Sequence, residues 1–248
     1  MSKLAAIFNV YDGVELLEKS IQQIYDHCDL VIIVYQLISN FGEKWNPYIE
    51  ILPLANNKTI LVKYDPTVEW GGQLNERAKR NLGIDFARDN HCTHFIGMDV
   101  DEFYEDFGAY KKLYFESGAS GSVCKMQTYF KKPTLMFDRP EDYFVPFIHE
   151  LHEDTRSGSS TYKFYVDPTR AINQSDVVEL PFFMHHFSWV RKDIMRKARN
   201  SSAQGIIKNP IIMKDYNSPE LGPGYFLANW NRILIEAPDR FGLSGIFE

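Results

Sequence analysis

His94-Phe95-Ile96-Gly97-Met98-Asp99-Val100-Asp101-Glu102-Phe103 is an apolar run that ends in three carboxylates. An apolar segment this short, bounded by charge, reads as a strand buried on both faces, which is the habit of parallel sheets. Immediately upstream, Leu74 to Arg88 has the spacing of a polar helix with Ala78, Leu82 and Phe86 on its inward stripe. Ile60 to Tyr64 precedes that helix as another short strand. Farther back, Leu30 to Tyr35 and Leu4 to Val10 are strands, the latter followed by a helix carrying Val14, Leu17, Ile21 and Ile24. Strands alternating with helices predict an α/β fold, a Rossmann-like mixed sheet with helices on both faces. Ligands of such sheets gather at the carboxyl ends of the strands, where Asp99 and Asp101 stand.

Downstream of residue 105 the rhythm changes. Ser122 to Phe130, Thr161 to Val166, Ala171 with Ile172, and Phe182 to Phe187 read as strands without long helices between them, which predicts an antiparallel extension of the sheet. Ile194 to Ser201 reads as a helix, and Ser218 to Gly224 as an irregular tail. No repeat or linker divides the 248 residues, so one domain is expected.

The bulk properties narrow the function. With 27 basic against 33 acidic residues and a net charge of −6, the chain is not a general polyanion binder, and no nucleic-acid partner is expected. Cys28, Cys92 and Cys124 are odd in number and lack a close pair, which argues against a disulfide framework or zinc ribbon and points to a reducing, cytoplasmic setting. Met1 to Phe8 is too short for a signal-peptide core, and no apolar run approaches a transmembrane length.

The carboxylates carry the chemistry. Side chains two apart on an extended chain share a face, so Asp99 and Asp101 can converge on one hard cation while Val100 faces the core. Carboxylates favour Mg²⁺ or Mn²⁺, and Mg²⁺ is commonly held by one or two of them plus substrate phosphates. Such a cluster would also repel itself without a cation.

The opening strand with Phe8-Asn9-Val10-Tyr11-Asp12, the second strand ending near Ser39-Asn40, and Phe95 to Phe103 together resemble GT-A glycosyltransferases. The resemblance is closest to the family-2-like and family-92-like groups with their Asp-x-Asp-Glu-Phe signature. It implies a metal-dependent transferase moving a sugar from a nucleoside diphosphate sugar, UDP-sugar before GDP-sugar, to a glycan or other hydroxyl acceptor. It implies that residues 1–105 bind the nucleotide, that 106–200 complete the metal site and hold the acceptor, and that 201–248 form a C-terminal tail. Phe8, Asn9, Val10, Tyr11 and Gln36 would hold base and ribose; Asp99 would meet ribose and metal, and Asp101 the metal and the catalytic step.

A second motif, Met184-His185-His186-Phe187-Ser188-Trp189-Val190-Arg191-Lys192, is similar to the late histidine that completes the metal shell in that family. His186 is the expected ligand, because His185 would point the other way on a strand. Arg191 or Lys192, the latter favoured, would neutralise the diphosphate, whereas Arg196, Lys197 and Arg199 read as a solvated face. One of Arg77, Lys79 and Arg80, with Arg80 first, would reach donor phosphates or sugar. Glu150, Glu153 and Asp154 are the base candidates, with Glu150 and Asp154 foremost; Trp70-Gly71-Gly72 offers an aromatic sugar contact. Loss of Asp99 or Asp101 is expected to stop turnover and spare the fold. Two rivals are a noncatalytic nucleotide- or carbohydrate-binding module and a sugar-nucleotidyltransferase, for which the Gly-rich basic loop after the first strand is missing.

Overall fold

The computed structural model describes residues 2–201 and 210–247, the side chain of Ile49 excepted. Residues 202–209 and 248 of the expected tail, with Met1 of the expected first strand, lie outside the described residues. Strands β1 (Leu4–Val10), β2 (Leu30–Tyr35), β3 (Thr59–Lys63) and β4 (His94–Asp99) lie parallel in the spatial order β3-β2-β1-β4. The chain continues through β5 (Glu102–Phe103), β6 (Gly121–Phe130), β7 (Leu135–Phe137), β8 (Phe144–Glu150), β9 (Val177–Trp189), β10 (Phe226–Leu227) and β11 (Arg232–Glu236). These extend the sheet beyond β4 through antiparallel β8, then β6, β7, β11 and β10, while β9 runs parallel to β6 and antiparallel to β5. The result is an eleven-stranded mixed sheet, the α/β architecture with an antiparallel extension that the sequence predicts.

Every residue of β1 and β2 is buried, as expected of strands covered on both sides. Alternation along β1 sends Leu4, Ala6, Phe8 and Val10 into one hydrophobic cluster and Ala5 and Ile7 into another. The side chains of Phe8 and Val10 are therefore core groups with no exposure, and neither residue lines the cavity at the strand ends; Asn9, between them, takes the other face.

The long helix Gly71–Asp89 is rotated by about one residue from its predicted phase. Its buried face is Asn75, Lys79, Arg80, Gly83, Ile84 and Ala87, whereas Ala78, Leu82 and Phe86 are half-buried. Gly83 sets the approach: a Cβ there would stand 2.3 Å from Ile7 Cγ2, so only glycine lets the helix lie this close to β1. Polar residues on the same face are thereby carried toward the carboxyl ends of the strands.

Two expectations past residue 105 fail. Phe107–Ser117 is a helix, capped where Asp106 accepts the Ala109 N–H at 2.9 Å; its aromatic residues blurred the helical period. Residues 161–166 and 171–172 form no strand: Val166 makes one isolated bridge to Phe144 of β8, and Ile172 bridges Ser157 in a neighbouring loop. Ile194–Asn200 is the predicted helix, and the irregular stretch near Ser218 leads into β10 and β11, so the tail supplies sheet. All three cysteines are free and buried, and burial pushes the Cys28 thiol up to about 12. No helix among the described residues is long and apolar enough to cross a membrane.

Candidate active site

A cavity of about 390 Å³ opens at the carboxyl ends of the parallel strands. Asn9, Tyr11 and Asp12 reach it from the end of β1, Gln36 and Asn40 from the end of β2, and Asp99 and Asp101 from the end of β4. The long helix contributes Glu76 and Lys79. The far wall is Thr128, Glu141, Tyr143, Asp167, Trp189 and Trp230, with His186, Ser188, Arg191 and Lys197 completing it from β9 and the segment after it.

The acidic corner is built by a turn and not by strand pleating. β4 ends at Asp99, the chain turns through Val100 and Asp101, and Glu102 enters β5 opposite His186. Val100 is buried as expected. Glu102 holds the turn: its Oε2 accepts the Asp99 N–H at 3.1 Å and an Arg170 N–H at 2.8 Å. Asp99 faces Arg80, whose Nη2 is 3.1 Å from both carboxylate oxygens, and Arg170 at 4.0 Å. Burial acts to raise the Asp99 pKa, but Arg80 and Arg170 outweigh it and hold the carboxyl below its ordinary value.

Asp101, 1% exposed, is hydrogen-bonded to Arg191 and has Lys197 Nζ at 3.5 Å. Against burial, Arg191, Lys197 and His186 hold it well below the usual carboxylate range. Arg191 reaches it by crossing Gly13, which has φ of 73° and where a Cβ would lie 3.0 Å from the guanidinium carbon. The cations that keep these carboxylates ionised are thus arginines and a lysine, so mutual repulsion alone does not call for an ion. The same pairing weighs against the expectation that loss of Asp101 spares the fold, because truncation would strand a buried guanidinium.

An ion nevertheless has donors here. Asp101 Oδ1 is buried and accepts no hydrogen bond, and His186 Nε2 lies 3.7 Å from it. His185 faces the other way, toward the Tyr129 hydroxyl at 3.0 Å and Glu105 at 3.2 Å, which is the alternation predicted for the pair. Among the described residues no group of three or more His, Cys, Asp or Glu side chains gathers as a metal cluster. The donor set therefore fits a hard ion that takes its remaining ligands from phosphate oxygens and water, not a cage made by protein alone.

The uncharged end of the cavity also has open valences. Both amide atoms of Asn9 and Oε1 of Gln36 are buried without a partner, while the Gln36 amide donates to Ile38 O at 2.8 Å and Asn40 Oδ1 at 3.1 Å. The Tyr11 hydroxyl donates to the Glu43 carbonyl at 2.9 Å, and burial with the Glu43 charge pushes its pKa up to about 12.

Other expected residues stand elsewhere. Glu150 pairs with His94 at the start of β4, so Glu150 and the following Asp154 lie at the opposite end of the strand from Asp99. The antiparallel course of β8, which the sequence could not reveal, separates them from the site. Lys192 is exposed and outside the cavity, its N–H bonded to Glu15 at 3.0 Å; Arg191 is the residue turned inward. Conversely, Lys197, expected on a solvated face, lines the cavity. Asp193 caps its helix by accepting the Arg196 N–H at 2.8 Å, a signal that could have phased Lys197 toward the cavity. Arg196 and Arg199 are clips: Arg196 lies 3.6 Å from the Trp45 ring centroid, and Arg199 pairs with Glu43 at 2.9 Å. Arg170, Glu141, Asp167 and Trp230 had no local signal, since each arrives from a loop far away in sequence.

No protein-family model and no curated protein matches this sequence. Among solved structures, the Staphylococcus aureus fragment TarS 1-349 is similar with a TM-score of 0.50 and 12% identity, over 86% of this chain and 70% of that one. The same fragment in complex with UDP-GlcNAc aligns with a TM-score of 0.49 and 13% identity, over 86% and 71% of the two chains. Of a longer TarS chain the protein spans 42%. At these identities the likeness is one of architecture, and the fold is of the GT-A type.

Proposed function

We propose that the protein is a glycosyltransferase that takes a sugar from a nucleoside diphosphate sugar, UDP-sugar first, and passes it to a hydroxyl of a glycan or similar acceptor. The observation that carries this reading is the juxtaposition, in one cavity, of the acidic Asp99–Asp101 corner with the unpaired amide of Asn9 and the unpaired Oε1 of Gln36. Planar amides with free donors and acceptors suit the edge of a nucleobase. The ionised carboxylates suit a ribose hydroxyl at Asp99 and a metal-bound diphosphate at Asp101. Asp101 and His186 would hold Mn²⁺ or Mg²⁺, which as a Lewis acid stabilises charge on the departing diphosphate. Arg191 and Lys197 keep Asp101 ionised and add positive charge where that leaving group forms.

On the far wall, Trp189 and Trp230 offer aromatic surface for an acceptor sugar. Glu141, whose Oε1 accepts the Thr128 hydroxyl at 2.8 Å, and Asp167 take over the base role that Glu150 and Asp154 are too remote to fill.

Calorimetric titration of UDP and GDP with and without Mn²⁺, into wild type and Asp101→Asn, tests the reading. Asn keeps a partner for Arg191, so the fold survives while the charge is lost. Binding that needs both the ion and Asp101 supports a metal-assisted donor site and names the base. Binding indifferent to both returns the protein to the class of noncatalytic modules.

A further inference from the structure

Each buried arginine of the described chain has a carboxylate partner: Arg80 has Glu76 and Asp99, Arg191 has Asp101, and Arg232 has Asp142. Lys79 does not. It is 6% exposed, lines the cavity, and makes no hydrogen bond or ion pair within the described residues. Burial pulls its pKa down, against Glu76 and Asp99, to about 8, so the ammonium stays charged near neutrality. An ammonium that faces the cavity with no protein partner, its stem buried and its hydration reduced, costs stability, and a methionine or leucine would fill that helix face without the cost.

The surroundings restrict what can complete it. Glu76, Asp99 and Asp12 act on Lys79 through their charge, and all three line the same cavity. A phosphate placed there would meet those carboxylates, whereas Arg191 and Lys197 gather at Asp101. A sugar hydroxyl needs both a donor and an acceptor, and this corner supplies both: ammonium N–H groups for its oxygen, carboxylates for its proton.

We infer that Lys79, with Glu76 and Asp12 as acceptors, binds hydroxyls of the transferred sugar and so helps to choose the donor sugar, while the nucleoside diphosphate is held without it. This rests on the donor-site reading above. Lys79 is a substrate-binding group whose charge is retained for the ligand at the expense of the empty protein.

The test is Lys79→Met, with Lys79→Arg as the charge-retaining variant. Each is titrated with UDP and with UDP-glucose, UDP-galactose and UDP-GlcNAc in the presence of Mn²⁺, and each is melted without ligand. The Met variant is expected to bind UDP as wild type does and to bind the preferred UDP-sugar about 10- to 100-fold more weakly, the loss of a charged hydrogen bond. Its melting temperature should rise by about 2–4 °C. Lys79→Arg should recover part of the sugar affinity. Equal weakening of UDP assigns Lys79 to the nucleotide and overturns the inference, as does unchanged UDP-sugar binding or a lower melting temperature. If wild type binds neither UDP nor any UDP-sugar, the donor-site reading falls first and takes this inference with it.

Discussion

The parallel strands and the antiparallel extension neutralise the acidic corner in different ways. Asp99, at the end of β4, finds its counterion in Arg80, 19 residues earlier on the helix that leads into the same strand. Asp101, one turn later, waits for Arg191, 90 residues on, after β9 has run alongside β6. The first pair forms within one local unit; the second exists only when both halves of the sheet are assembled. Exposure follows the same division, with the Asp99 side chain 31% accessible and that of Asp101 2%. One short motif thus holds two kinds of carboxylate: one a ligand can reach, and one built into the framework.

Breaking the long-range pair should have the largest effect. Arg191→Met leaves Asp101 buried and uncompensated apart from Lys197, and urea unfolding should show a loss of about 3–5 kcal/mol. Arg80→Met should cost less, since water can still reach Asp99; equal losses would erase the distinction between the two sites. Combining Asp101→Asn with Arg191→Met should cost less than the sum of the single changes.

Next in size is the acid side of the stability profile. The folded state holds Asp101 well below its unfolded value of about 3.9, so the stabilisation is complete above that value and disappears as pH falls through the folded pKa. Urea midpoints measured from pH 5 downward should fall less steeply in Asp101→Asn than in wild type. An identical slope would mean that Asp101 is not the group being protonated.

Lys79 gives the opposite sign on the alkaline side. Its folded pKa of about 8 lies below the unfolded value near 10.4, so between the two the unfolded chain binds the extra proton and stability rises with pH. That rise should be absent from Lys79→Met, as followed by midpoints between pH 7 and 10. The smallest expected effect is at the rim, where Glu43, held down to about 2 chiefly by hydrogen bonds from Arg199 and Asn200, ties the loop after β2 to the helix Ile194–Asn200. Glu43→Gln should cost below about 1 kcal/mol globally and show itself as faster amide exchange in that helix.

The parallel half was readable because each β-α unit announces itself within about thirty residues. Strand runs such as Leu30 to Tyr35, and the acidic end of β4, need no distant information. Beyond it, the local pattern misled: the aromatic helix Phe107–Ser117 went unseen, and residues 161–166 imitate a strand while lying in a loop. Site residues divide the same way. Asp99 and Asp101 are legible from their place at the end of an apolar strand, whereas Asn9 and His186 rest on the family resemblance; Glu150 is misplaced because strand direction in an extension is a tertiary fact. Lys197 reads locally as a solvated charge because its partner, Asp101, is 96 residues away in sequence.

The near-contact of Gly83 with Ile7 works as a shim would in an instrument. A helix of 19 residues is a stiff rod roughly 28 Å long, so what lifts it at one point lifts it along its length. Adding a single methyl at position 83 must push the rod off the sheet, since the methyl has nowhere to go beside Ile7. One turn away the rod carries Lys79 and Arg80, so the same displacement would be read at the cavity as a change in ligand affinity. A hydrogen atom in place of a methyl group, with no chemistry of its own, sets the gauge of the whole site.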